Sequence, residues 1–222
     1  EWTPGDKTLA LTEVGTTGKY YGVFTIGLNK EFKVKTGDTW NTGFDAGFDK
    51  VAAFPTGAVA TAGGNIKVLV GTAQVPHAFL IDVRVVGSSA RLVISPAWSN
   101  YGFPTMTYAP TGTSIAYLNT TNEFWNSNAQ LRIYGTFDAT KTKVNFEYTG
   151  VATHTYIFKI EGGGVNKEME SVATGAKQTF VLDISTISAA DRAKLNLIVF
   201  FHKLPTNPVT GTIIIHGVSY AA

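Results

Sequence analysis

The chain has no cysteine among its 222 residues and only two methionines. Without cysteine there are no disulfides, no thiol nucleophile and no thiolate metal site, a composition that suits a bacterial surface protein as well as a cytosolic one. Charge is sparse: Asp, Glu, Lys and Arg together make 15% of the residues, and the formal net charge is +2. The basic residues are scattered, so no stripe tracks a phosphate backbone, and nucleic acid is not an expected partner. No apolar run approaches the about 20 residues of a membrane-spanning helix. No basic and apolar leader opens the chain at Glu1, so the expectation is a soluble mature protein or a cut fragment, without membrane insertion. Catalytic constellations are missing as well. His77, His154, His202 and His216 fall at no ligand spacing, and Gly162–Asn166 is followed by no Lys-Ser/Thr pair that would make it a phosphate loop. The nearest pair of carboxylates, Glu168 and Glu170, reads as part of an exposed edge or turn and lacks the spacing of a glycosidase pair. The expectation is therefore no enzyme and no cofactor.

What is present is β-forming. Hydrophobic residues make 44% of the chain, aromatics 12%, and there are 23 glycines. With Thr prominent over helix formers, this points to an all-β protein with many turns. The length exceeds the about 100–150 residues typical of one domain, which makes two domains the natural expectation.

The stretch Glu31–Trp40 concentrates the chemistry of the first half. Phe32 and Val34 alternate with Lys33 and Lys35 before the Gly37-Asp38 turn delivers Trp40. Such alternation predicts a strand half in a core and half in water, with a cation and a flat aromatic sharing its wet surface. A pyranose would stack its C–H face on the indole and accept hydrogen bonds from the ammonium; the alternative is a hairpin whose Trp40 caps the core. Around it, Tyr20–Ile26 reads as a strand paired with Glu31–Val34, and residues 41–64 read as a long loop holding one short strand. Asn65–Val70, Phe79–Val86 and Arg91–Ile94 read as further strands, giving an antiparallel sandwich.

The order of Trp2 in a turn, Lys33 seven residues before Trp40, and Gly64-Asn65-Ile66 before a strand resembles starch- and glycogen-binding modules with an immunoglobulin-like sandwich. It is also similar to the tandem modules of gut bacterial starch-binding surface lipoproteins. The resemblance implies that Trp2, Trp40, Lys33 and Asn65 grip an α-1,4-linked glucan. That family usually has a strand before the first tryptophan, whereas this sequence starts at Glu1, so the expectation is either a trimmed sequence or an edge completed by something else. An edge left open in this way invites pairing with another chain.

A boundary near residue 97 follows Ser95-Pro96, giving domains at 1–96 and 97–222, with Ala97–Pro104 expected as loop. Beyond it, Gly112–Leu118, Gln130–Tyr134, Lys143–Tyr148, Tyr156–Glu161, Thr179–Ile184, Asn196–Phe201 and Gly211–His216 read as strands, and Ser188 reads as the cap of a short helix. This pattern resembles galactose-binding-like jelly rolls that serve as carbohydrate-binding modules. The resemblance implies a shallow site lined by aromatics and amides, with Trp98, Tyr101, Trp125, Asn126 and Asn128 as candidates and His202 on a late loop. The alternative places Trp125 in the core and leaves the asparagines to shape turns. The resemblance also implies a structural calcium, although no Asp/Glu cluster of EF-loop type is present.

Two functions remain open at this point. One is non-catalytic binding of a polysaccharide, α-glucan first, by a secreted or cell-surface bacterial protein with tandem modules. The other is a structural subunit of a surface layer, filament or phage particle, self-assembling through the edge of the first sandwich.

Overall fold

The computed structural model describes residues 11–14, 18–26, 31–32, 48–50, 58–60, 66–68, 77–86, 89–102, 104–109, 111–119, 127–133, 136–203 and 209–222. The fold is all-β with sandwich-like sheets, and the chain divides into two compact units, Glu1–Ala97 and Trp98–Ala222.

The N-terminal unit holds β1 (Thr12–Glu13), β2 (Lys19–Ile26), β3 (Glu31–Phe32), β4 (Phe48–Lys50), β5 (Ala58–Ala60), β6 (Ile66–Val68), β7 (His77–Val86) and β8 (Ser89–Pro96). Five of them form one sheet in the order β1-β2-β7-β8-β4, and three form a second in the order β3-β6-β5. The long strands appear where β-branched and aromatic residues run together, as in His77–Val86 and Ser89–Pro96, which pair antiparallel across residues 87–88. The expected pairing of Glu31–Val34 with Tyr20–Ile26 is corrected: Phe32 lies opposite Ile66. Both sides of β2 are already occupied, by β1 and β7, so its ladder groups have no place for β3. Residues 41–64 contain two short strands instead of one, and β4 runs parallel to β8.

The C-terminal unit is a sandwich of two five-stranded sheets. Its strands are β9 (Ser99–Gly102), β10 (Thr105–Ala109), β11 (Gly112–Asn119), β12 (Ser127–Arg132), β13 (Lys143–Thr149), β14 (Thr155–Gly162), β15 (Val165–Val172), β16 (Lys177–Asp183), β17 (Leu197–His202) and β18 (Val209–Ala221). One sheet runs β10-β11-β18-β13-β16 and the other β15-β14-β17-β12-β9. All of their ladders are antiparallel. The helix α1 (Ala189–Arg192) begins at Ser188, whose hydroxyl accepts from Asp191 N–H at 3.2 Å, as expected of a capping serine.

Alternation of side chains along these strands builds the core. Val144, Phe146 and Tyr148 of β13 meet Tyr156, Phe158 and Ile160 of β14, Ile198 and Phe200 of β17, and Ile115, Ile213 and Ile215 across the layers, all buried. Phe158 packs at 4.5 Å from Phe146 and 5.5 Å from Phe200, ring centre to ring centre. The register of β18 on β13 shifts between Glu147 and Tyr148, which pair with Gly217 and Ile215 and leave His216 as an extra residue. This bulge changes which parity faces inward. Ile213 and Ile215 enter the core before it; after it Val218 packs on the core and Tyr220 meets Phe137 edge-on.

Candidate functional site

The outer face of the sheet β15-β14-β17-β12-β9 gathers the side chains that the core leaves over. In β12, Ala129 and Leu131 point to the core, so Asn128, Gln130 and Arg132 take the other face. In β14 the inward Tyr156, Phe158 and Ile160 leave Ile157, Lys159 and Glu161 outside, and in β17 the inward Ile198 and Phe200 leave Leu197, Val199 and Phe201. Ladder register aligns them in rows. Tyr101 of β9 lies opposite Asn128, Ser99 opposite Gln130, Gln130 opposite Val199, Val199 opposite Lys159, and Lys159 opposite Glu168 of β15. Five strands about 4.8 Å apart make this face about 19 Å wide from β9 to β15.

The face has an apolar centre and a polar margin. Ile157, Val199 and Phe201 form a small buried cluster with Leu197 against it, separate from the main core. Toward β9, Gln130 Nε2 donates to Asn128 Oδ1 at 3.0 Å, and Tyr101 is 56% exposed. Toward β15, Lys159 pairs with Glu161 at 2.6 Å, and Lys203 pairs with both oxygens of Glu170 at 2.6 and 2.7 Å. The margins thus carry amide, ammonium and carboxylate groups and the exposed Tyr101 ring, while the centre of the face between them is itself buried.

Of the nine residues singled out from sequence, Tyr101 and Asn128 come together here as direct cross-strand neighbours. Asn128 is itself buried and accepts from Gln130. Trp98 is placed differently: it is 5% exposed and packs in the main core, so it offers no face for stacking. Its carbonyl accepts a hydrogen bond from the Tyr108 hydroxyl. The loop expected at Ala97–Pro104 is in part the edge strand β9, which pairs with β12. His202 sits at the end of β17, buried, and not on a loop. Trp2, Lys33, Trp40, Asn65, Trp125 and Asn126 lie outside the described residues. Sequence reading missed Gln130, Lys159 and Glu161; their signal was the alternation with Ala129, Leu131, Phe158 and Ile160, which assigns them to the opposite face.

No family model matches the chain, and no curated protein matches it. Among solved structures, 38 chains match. One is a family 11 carbohydrate-binding module from Clostridium thermocellum in complex with a β-1,3-1,4-mixed-linked tetrasaccharide. It is 14% identical with TM-score 0.44, over 55% of this chain and 87% of that one. A mutant of the family 29 module CBM29-2 is 15% identical with TM-score 0.41, over 56% of this chain and 81% of that one. CBM4 is 15% identical with TM-score 0.43, over 56% of this chain and 85% of that one.

Proposed function

We propose that this chain is a non-catalytic carbohydrate-binding protein. The observation that carries the reading is the outer face of the β15-to-β9 sheet, where exposed Tyr101 stands in register beside Asn128 and Gln130 with paired Lys and Glu side chains across from them. A sugar ring lays its C–H face on an aromatic ring while amides and charged groups engage its hydroxyls. A glycosidase needs one carboxyl as acid and a second as base or nucleophile. On this face Glu161 and Glu170 are each paired with a lysine, and Glu168 stands opposite Lys159 in the ladder.

The particular ligand we propose is an α-1,4-glucan, bound through the N-terminal unit. This rests on the resemblance carried by Trp2, Lys33, Trp40 and Asn65. Two aromatic platforms at an angle suit a curved, helical polymer, whereas flat cellulose suits platforms in a line. Loss of one stacked ring costs about 1–3 kcal/mol by analogy with base stacking, so a two-ring site binds at about micromolar to millimolar strength.

Affinity electrophoresis through amylopectin, glycogen, cellulose derivatives and mannan tests both steps. Retardation by amylopectin or glycogen that disappears in Trp40→Ala is the expected result. Retardation only by another polymer overturns the α-glucan assignment and keeps the class. No retardation by any polymer, from a folded sample, overturns the class as well and turns attention to assembly as a structural subunit.

A further inference from the structure

Among the described residues the two sheets of the C-terminal unit end in four edge strands, β10 and β16 on one and β15 and β9 on the other, each with a ladder neighbour on one side only. An open edge invites a further strand unless it is short, charged or interrupted by proline. Three of the four are blunted in this way. β9 has four residues, and β10, with five, lies between Pro104 and Pro110. β15 has eight, but setting it antiparallel to a copy of itself about its middle puts Glu168 opposite either Glu168 or Glu170, carboxylate against carboxylate. β16 is different. Its seven residues, Lys177–Asp183, carry charge only at the two ends, and the two charges are opposite. Gln178, Phe180 and Leu182 take the core side of this strand, which leaves Lys177, Thr179, Val181 and Asp183 outside, with Val181 40% exposed.

We propose that β16 is a self-association edge, along which two copies of this chain pair antiparallel about a two-fold axis at Phe180 and join two five-stranded sheets into one. In that register Lys177 faces the partner's Asp183, Gln178 the partner's Leu182, Thr179 the partner's Val181, and Phe180 its own counterpart. Residues of one parity meet, so ladder groups that point outward on one strand meet those that point outward on the other. Neighbouring registers fit less well. Moving the axis to Thr179 sets Lys177 against Val181, and moving it to Val181 sets Asp183 against Thr179; in both the end charges lose their counterparts.

Charge complementarity extends beyond the strand itself. Lys143 stands opposite Asp183 in the ladder between β13 and β16, and Lys177 pairs with Glu147 at 2.8 Å. Across the seam the order becomes Lys143, Asp183, the partner's Lys177 and the partner's Glu147, alternating in sign, and the two-fold axis repeats it at the other end. Exposed pairs of this kind add little strength, but they fix register and orientation. That both ends complement each other is what selects a second copy over an unrelated strand. The contacts between them are apolar: two Thr179–Val181 pairs on the outer face, and at the centre the half-buried Phe180, whose ring stacks on Phe158 at 5.1 Å, beside its counterpart. One strand edge is a small interface, so the association is weak and concentration-dependent. The seam and the glycan face lie on different sheets, and neither requires the other.

Sedimentation equilibrium of the full chain from about 10 µM to about 1 mM tests the seam. The expected result is a reversible monomer–dimer equilibrium, weakened about tenfold by Lys177→Asp or by Asp183→Lys alone, since each sets like charges opposite each other at both ends. Mixing the two variants should restore it, because the mixed pair again joins opposite charges at both ends. Should either variant fail to fold, disulfide trapping at the exposed Thr179 and Val181 decides, since the chain holds no cysteine of its own. Thr179→Cys and Val181→Cys chains mixed under mild oxidation must cross-link far faster than either alone, their Cβ atoms standing about 5 Å apart across the pair. A monomer throughout, a dimer indifferent to both charge reversals, open-ended assembly, or cross-linking as fast within each variant as between them overturns the edge.

Discussion

Single residues carry two measurable consequences. Tyr101 is 56% exposed, so Tyr101→Ala should leave the fold intact while weakening polysaccharide retardation by about one to two orders of magnitude, the equivalent of about 1–3 kcal/mol for a lost ring. Unchanged mobility in the gel together with an unchanged unfolding curve would remove Tyr101 from the site. Asp138 presents a different case. Its carboxylate accepts from the Thr140 hydroxyl at 2.7 Å and from Thr140 N–H at 3.0 Å, and these bonds hold its pKa below the ordinary 3.8. The stability it contributes is present above that value and is lost as the pH falls through the lower folded-state value. Denaturation midpoints should therefore show Asp138→Ala less stable than the parent at pH 7, with the gap closing from pH 4 downward. The contrast between Tyr101 and Trp98 shows what single letters conceal. Both are aromatic residues in a Ser, Asn and Gly-rich stretch, but one faces solvent and the other fills the core. The difference is set by the pairing of β9 with β12, which no property of either residue announces.

At the level of elements, two glycines lie directly beneath tyrosines, Gly150 under Tyr156 and Gly211 under Tyr117. Gly150→Ala puts a methyl group into the Tyr156 ring. It should cost about 1–3 kcal/mol by overpacking, read as a lower urea midpoint at unchanged slope; a neutral substitution would show that the ring has room to retreat. Most strands of the C-terminal unit were legible because alternating apolar residues such as Tyr156, Phe158 and Ile160 mark a half-buried strand on their own. Three strands were not: Ser99–Gly102, Thr105–Ala109 and Val165–Val172. Ser99–Gly102 has no apolar alternation, and Val165–Val172 is a polar edge strand that reads as a turn or rim. Partner choice was the other failure. Phe32 pairs with Ile66 because β2 is already occupied on both sides, and occupancy belongs to the assembled sheet rather than to the segment.

For the molecule as a whole, residues 98–222 enclose a core of their own, from Ile115 and Phe146 to Phe200 and Ile215. Expressed alone they should unfold in one cooperative transition; an uncooperative melt would mean that this core needs the preceding residues. The proposed glycan face is the part least legible in advance. Its candidates were chosen as aromatics and asparagines near turns, whereas the face is assembled from five strands spread over residues 99–202, with Gln130, Lys159 and Glu161 supplied by what the core rejected. The single extra residue at His216 has the widest reach. Because side chains along a strand alternate, that residue keeps Ile213 and Ile215 on the same side as Val218 and Tyr220. Deleting it would act on the folded strand as a frameshift acts on a message: every letter after it would be intact and read on the wrong face. Lineages carrying this domain should therefore tolerate many replacements along β18 but neither gain nor loss of one residue near position 216, and comparison of insertions and deletions, rather than of substitutions, is where that constraint becomes visible.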